Sequence, residues 1–142
     1  MTKSTSDIFM SIKPENIQNI VSSAKNHIYR SYLLPPRIQH IWFYTTSPVK
    51  QIAYVARISG AKVPGEVLDD GGIGNADFNA ELKVMDYGYE ILVLWKLNTP
   101  VSLETAIREG YLKSAPQKYC WVPLDFLGRF PLDEQDQVFS RI

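Results

Sequence analysis

Several short segments either alternate apolar and polar residues or are rich in aromatic and β-branched residues, and these patterns predict a protein built mainly on β-strands. The segments cover residues 7–12, 29–32, 38–45, 51–59, 89–97 and 119–124. Prolines separate some of them, notably Pro35-Pro36 and Ser47-Pro48, and proline does not continue a central strand. We therefore expect strands that follow one another in one sheet, without a regular βαβ alternation.

Three short helices complete the predicted elements. The first begins near Pro14, since proline is tolerated in a first helical turn. A second covers residues 75–83, and a third lies between Ser102, a favourable N-cap, and Gly110, a favourable helix end. The Gly- and Asp-rich segment 65–74 predicts an exposed, mobile loop, with a role as a lid as one interpretation.

The chain has 142 residues, which amounts to about one domain with a modest core. We expect a single domain over residues 1–142, with a core at about 8–124 and a polar C-terminal tail at 125–142. The part of the tail after Arg129 is expected to form a short helix or a loose end. The fold class is α+β: a strongly curved sheet or partial β-barrel with short helices at its margin.

Composition narrows the choice of compartment and chemistry. Hydrophobic residues make up 45% of the chain, but they form no apolar run long enough for a membrane span, and the N-terminus lacks the apolar core of a secretory signal. We expect an intracellular protein, cytoplasmic or nuclear, without membrane association. Cys120 is the single cysteine and is expected to be a buried structural thiol.

No pattern in the chain requires a metal or a cofactor, and we expect neither. His27 and His40 are the only histidines, so a site built on two histidines is a minor alternative. The acids of residues 69–81 could form a cluster for a hard metal, but acids beside a Gly-rich loop are usually only solvated.

Charge is distributed unevenly although the whole chain is neutral. Residues 1–60 hold seven Lys and Arg against two acids, so this part is about +5, and the remainder is about −5. A basic face able to attract phosphates follows if the two parts stay apart in the fold. The alternative is that folding interleaves them and the charges cancel.

Lys25 and Arg30 are the first candidates for binding an anion. Five positions apart on a turn that leads into a strand, both could point into one groove and contact phosphate. Lys13 and Lys50 are candidates for the rim of the same groove. The alternative for all four is that they are solvated surface cations.

Tyr44, Thr45, Thr46 and Ser47 form a second set of candidates, where a strand enters a turn. Their hydroxyls and backbone amides could bind a phosphate or a base edge, although ordinary turn chemistry explains them equally well.

Aromatic residues near these candidates suggest base stacking. Tyr29 and Trp42, with Tyr32, are the rings that an unpaired base could stack on if they are exposed. Most aromatic side chains in strands are core residues, which is the competing interpretation.

Two blocks of these residues resemble the activating-signal-cointegrator homology (ASCH) family of PUA-like proteins. Residues 11–15 and the helix after them, followed by Lys25, Tyr29 and Arg30, are similar to the family's opening block. Residues 44–52 are similar to a family segment of the type Tyr-x-Ser-Pro-Val-x-x-Ile.

Farther along, residues 115–117 are similar to a short helix that closes the family's barrel. The resemblance covers roughly residues 8–124. It implies a PUA-like barrel with a cleft between helix and sheet, and a role in RNA metabolism or a related nucleic-acid process.

Departures from the family pattern bear on catalysis. Ile28 stands where an acid is usual, and Ser23 stands where glycine is usual. Some relatives are small hydrolases of modified cytidine that use a Lys, a Thr and a distant Glu. Lys25 matches, but Ile28 occupies the position of that threonine and no glutamate can be assigned, so the resemblance argues against this activity.

The favoured hypothesis is a module that binds nucleic acid, above all RNA or a modified nucleotide, in a basic cleft lined by aromatic residues. One alternative is a small hydrolase or nuclease that acts on RNA or a modified nucleoside, with Lys25 as general acid or base. Another alternative is a module that binds a peptide or a partner protein.

Overall fold

Seven β-strands and four short α-helices make up the protein, and the computed structural model describes residues 1–142. The strands are β1 (Lys3–Ile12), β2 (His27–Arg30), β3 (His40–Thr45), β4 (Gln51–Ile58), β5 (Tyr87–Ser102), β6 (Cys120–Pro123) and β7 (Asp136–Ser140). The helices are α1 (Pro14–Val21), α2 (Asn75–Asn79), α3 (Leu103–Arg108) and α4 (Leu124–Arg129). A single 3₁₀ turn covers Leu132–Glu134.

All seven strands belong to one mixed sheet with the order β2-β5-β4-β3-β1-β6. The strand β7 pairs with β5 next to β2. The strands β1 and β3 run parallel, and the other pairs are antiparallel. The end strands β2 and β6 do not pair with each other, so the α+β class is confirmed as an open sheet and not as a closed barrel.

Apolar side chains cover both faces of the sheet and form two main cores. The first core holds Ile12, Ile28 and Phe43, and α1 packs onto it through Ile17 and Ile20. The second core, on the opposite face, holds side chains from the same strands and from the C-terminal helices; among them are Phe9, Trp42, Tyr44, Ala106 and Phe126. Burial on both faces explains why β1, β3 and β4 read as nearly continuous apolar runs.

A β-bulge in β4 changes which face its first residues occupy. The alternation predicts Ile52, Tyr54 and Ala56 on one face, but the pairing with β5 shifts between Ile52 and Tyr54. As a result Ile52 packs in the second core, whereas Ala56 packs in the first. One extra residue in a strand reverses the facing of every side chain before it.

Several boundaries differ from the sequence prediction. The strand β5 continues past Leu97 to Ser102, because the polar end of the strand still pairs with β4 at Gln51 and Ile52. Residues 115–117 form bends and not a helix. After Arg129, where a short helix or a loose end is expected, the structure has the 3₁₀ turn and the strand β7. The strand β7 is polar, so its sequence does not predict a strand; backbone hydrogen bonds with β5 hold it in place.

The helices are all short. The longest, α1, has eight residues, and none of the four has the length and apolar character needed to cross a bilayer.

Candidate functional site

A cavity of about 440 Å³ opens beside the N-terminus of α1. Eleven residues from β1, α1, β2 and four connecting segments line it; they are Ser11, Ile12, Lys13, Asn16, Lys25, Ile28, Tyr29, Arg30, Thr46, Lys83 and Met85. We call this cavity the basic pocket. Its volume is within the range of pockets that bind small molecules.

Strand pairing brings the distant parts of the basic pocket together. The parallel pairing of β1 with β3 places Ile12 beside Thr45, and the Thr46 amide donates to the Ile12 carbonyl over 2.9 Å. The same end of β1 leads through Lys13 into α1. At the other end of α1, the Lys25 amide donates to the Asn19 carbonyl over 2.9 Å and turns the chain back towards β2.

Four cations and no acid line the basic pocket. They are Lys13, Lys25, Arg30 and Lys83. The salt bridges of the protein involve other cations, so none of these four has a carboxylate partner. Unneutralised cations around a concave surface focus a positive potential, which favours an anionic ligand.

Lys25 and Arg30 are half-buried, whereas Lys13 and Lys83 are exposed. Burial lowers the pKa of the Lys25 ammonium group, and the nearby charges of Lys83 and Arg30 lower it further. The Nζ atom lies 5.5 Å from the centre of the Tyr29 ring, within reach of a cation–π contact. An anion bound in the basic pocket would relieve the repulsion between these cations.

Tyr29 forms a wall of the basic pocket and is only 8% exposed. Its ring stacks on Phe78 with the ring centres 4.4 Å apart, and its hydroxyl donates to Asn75 Oδ1 over 2.6 Å. Burial raises the pKa of this hydroxyl, which keeps it protonated. Because Phe78 covers one face of the ring, little of Tyr29 is free to stack on a base.

The predicted residues of β3 lie away from the basic pocket. Trp42 and Tyr44 are 1% and 2% exposed and pack in the second core, and Thr45 is 3% exposed. The Trp42 indole donates to Asp7 Oδ2 over 2.8 Å, and its ring lies edge-on to Phe126. Buried in this way, Trp42 offers no face to a ligand in this structure.

The turn after β3 contributes one residue to the basic pocket, Thr46. Ser47 and Lys50 are exposed on the same turn but do not line the cavity. The structure therefore brings together Lys13, Lys25, Tyr29, Arg30 and Thr46, and leaves the other predicted residues outside.

Six lining residues escaped the sequence prediction of site residues: Ser11, Ile12, Asn16, Ile28, Lys83 and Met85. Asn16 follows Lys13 by three positions on a helix, and this spacing alone places them on one face. Lys83 comes from the acidic part of the chain and lies in the connection between α2 and β5. No local pattern in the sequence signals that this connection folds over the end of β2.

Residues considered for metal binding are engaged elsewhere. His27 contacts Asn26 and Lys62, whereas His40 contacts Asp7, and the structure gathers no group of three or more His, Cys, Asp or Glu that could hold a metal ion.

Cys120 is half-buried, and burial raises the pKa of its thiol, although the nearby Lys3 acts in the opposite direction. The expected burial is therefore wrong, since the side chain is only half-buried, and the structural role of the thiol stays a prediction.

The loop 65–74 is hydrogen-bonded to its surroundings. The Asn79 side chain accepts from the Gly65 amide and donates to the Val67 carbonyl, and the Ile73 amide donates to the Ala24 carbonyl over 2.9 Å. Asp70 accepts hydrogen bonds from the Gly72 amide and from the side chains of two asparagines. These hydrogen bonds lower the pKa of Asp70, and the bond from Gly72 contributes most. The loop is therefore seated against the turn before β2.

Comparison with known proteins gives the fold. No protein-family model matches the chain, and no curated protein matches it. Among solved structures, ASCH from Zymomonas mobilis aligns with a TM-score of 0.71 and 17% identity, over 94% of this chain and 99% of that one. Two single-residue variants of the same protein align with TM-scores of 0.63 and 0.62, at 19% and 16% identity, over 91% and 92% of this chain and 99% of theirs.

These alignments show that the chain has the fold of ASCH from Zymomonas mobilis. The shared fold confirms, at the level of structure, the α+β class and the resemblance to the ASCH family. At this identity the likeness concerns the fold alone, so any activity must be argued from the basic pocket.

Proposed function

We propose that the basic pocket binds single-stranded RNA or a modified nucleotide. The observation that carries the proposal is the set of four cations around a cavity without an acid. Phosphate is the anion that such a set suits, because Arg and Lys both form charge-assisted hydrogen bonds with phosphate oxygens.

The apolar part of the same cavity supports a ligand that also has a flat ring. Ile12, Ile28, Tyr29 and Met85 line it beside the cations. Ser11, Asn16 and Thr46 add neutral hydrogen-bonding groups that could read a base edge. RNA recognition commonly encloses an unpaired base while cations hold the backbone, and this lining suits that mode.

Binding across a salt series tests the proposal directly. Fluorescence anisotropy of short labelled RNA and DNA strands would be measured for the wild type and for Lys25→Ala/Arg30→Ala. We expect affinity to fall with salt, and the slope of log K against log salt to become shallower by about 1.4 in the double variant, since two phosphate contacts are lost.

The matched control is Arg57→Ala/Lys96→Ala, which also removes one Arg and one Lys. Both residues are exposed on the central strands and outside the basic pocket. We expect this control to bind as the wild type does. Absence of binding to either polymer by the folded wild type, or equal losses in both double variants, would contradict the proposal.

One observation favours an enzyme as the second candidate: Lys25 is partly buried beside two cations, so its amine is poised to exchange a proton more readily than a surface lysine. No carboxylate lines the pocket to act with it. Turnover of a panel of modified nucleosides that disappears in Lys25→Ala would support this alternative. A panel without turnover would oppose it.

A further inference from the structure

A polar cluster lies behind the basic pocket, and none of its three central residues lines the cavity. Asn75 is completely buried. Its Oδ1 accepts from the Tyr29 hydroxyl over 2.6 Å, and its Nδ2 lies 2.9 Å from Asn26 Oδ1 and 3.1 Å from Asp70 Oδ1. Asn26 Nδ2 in turn donates to Asp70 Oδ2 over 2.8 Å. We call Asn26, Asp70 and Asn75 the clamp.

The clamp requires glycine at position 72, because the backbone there lies very close to the clamp side chains. The Gly72 amide donates to Asp70 Oδ1 over 3.0 Å. A Cβ atom on Gly72 would lie 2.6 Å from Asn75 Nδ2 and 2.9 Å from Asn26 Oδ1, so only glycine leaves room for the two amides to meet. The clamp therefore joins the loop 65–74 to the turn immediately before β2.

The clamp ends on the Tyr29 ring, which is held from other directions as well. Phe78 stacks on the ring, and Gly88 lies so close that a Cβ atom there would be 2.7 Å from the ring. With its hydroxyl bonded to Asn75, the ring has one orientation. Lys25 Nζ lies over that ring, so the position of the ring influences the position of the ammonium group.

The clamp is not needed merely to hold the loop 65–74 in place. The loop is already attached through Asn79 and through the backbone of Ile73, both outside the clamp. A buried amide whose hydrogen bonds are all made specifies one arrangement of its neighbours more strictly than apolar contacts do. Here the neighbour that it fixes is a wall of the basic pocket.

We propose that Asn26, Asp70 and Asn75 are positioning residues that hold the Tyr29 ring and, through it, Lys25 in the geometry that binds an anionic ligand. The identity of the ligand in this inference rests on the proposed function of the basic pocket. The effect of the clamp on the position of Lys25 does not, because that position can be measured without a ligand.

The first test uses Asn75→Leu, which keeps the branched shape of the side chain and removes its hydrogen bonds. The matched control is Asp7→Leu, which leaves the buried Trp42 indole without its acceptor on the opposite face of the sheet. With folding verified by circular dichroism, we expect Asn75→Leu to weaken RNA binding about tenfold and the control to bind within about twofold of the wild type.

A milder variant guards against misfolding of Asn75→Leu. Tyr29→Phe removes only the hydroxyl and keeps the ring under Lys25. If the clamp acts through that hydroxyl, Tyr29→Phe weakens RNA binding, and the double variant binds no more weakly than Asn75→Leu alone. The proposal would be overturned if the losses of RNA affinity in Tyr29→Phe and Asn75→Leu added up in the double variant. It would also be overturned if both single variants bound RNA as tightly as the wild type does.

The second measurement is the NMR titration of Lys25 after reductive methylation with ¹³C-formaldehyde, assigned with Lys25→Arg. We expect the methyl resonance and the pKa of Lys25 to change in Asn75→Leu and to stay constant in Asp7→Leu. An unchanged Lys25 titration in Asn75→Leu overturns the clamp whether or not RNA binds. A wild type that binds no RNA but whose Lys25 titration moves in Asn75→Leu refutes the proposed function and supports the clamp.

Discussion

His27 gives the clearest pH prediction, because its ring is buried between a cation and an amide. It is 3% exposed. Its Nε2 lies 3.2 Å from Lys62 Nζ, which can only donate, so Nε2 accepts and Nδ1 carries the proton that is donated to Asn26 Oδ1 over 2.7 Å. A second proton on Nε2 would face the ammonium group of Lys62.

This environment lowers the pKa of His27 from 6.5 to about 4, first through burial and then through the charge of Lys62. Glu90 and Asp70 act in the opposite direction, and Arg141 adds to the lowering. In the folded protein the ring is therefore neutral down to about pH 4, whereas in the unfolded chain it takes up a proton below about pH 6.5.

The unfolded state binds more protons throughout that window, so stability falls as the pH falls. Linkage with these two pKa values gives a loss of about 2 kcal/mol in the free energy of unfolding between about pH 7 and pH 5. Urea unfolding at several pH values in this window would measure it. The denaturant slope should stay constant, because the surface exposed on unfolding does not change.

His27→Gln removes the titrating group and should flatten the pH dependence of stability over the same window. Equal pH dependence in the wild type and His27→Gln would refute the reasoning, since the proton uptake would then belong to another group.

Three further predictions concern stability and are measured by urea unfolding. Gly88→Ala should destabilise by about 1 to 3 kcal/mol, because the new methyl group meets the fixed Tyr29 ring, whereas Gly128→Ala, with open space around it in α4, should be neutral or stabilising. Phe126→Ala should cost about 3 to 5 kcal/mol, since the ring is fully buried among aromatic side chains of the second core; a cost under about 1 kcal/mol would contradict the packing. Ser102→Ala should cost about 1 kcal/mol through loss of the N-cap of α3, and an unchanged stability would speak against the cap.

The sequence predicts the strands well where one physical rule dominates. Aromatic and β-branched residues identify β3 and β4, and burial on both faces follows from their nearly continuous apolar character. The strand β7 fails this rule because it lies at an edge, where Val138 is exposed and the backbone pairing with β5 supplies the stability. A polar edge strand carries no local signal of its partner.

Only those residues of the candidate site that lie close together in the sequence can be predicted from it. Lys25 and Arg30 bracket one short strand, so their spacing places both near one cavity. For Trp42 and Tyr44 the alternation gives one shared face, but it does not say whether that face meets the pocket or the second core. Lys83 belongs to the acidic part of the chain, and only the tertiary fold brings it beside Lys25.

The central place of β1 in the sheet also has a consequence for the order of events during synthesis. The strand β1 precedes all the other strands along the chain, yet it lies between β3 and β6. One of its edges can pair once β3 has left the ribosome, but the other stays open until residues 120–123 emerge. While residues 46–119 are being made, the nascent chain therefore presents an unpaired, apolar strand edge, which is a site where chaperones or a second chain can bind before the sheet is complete.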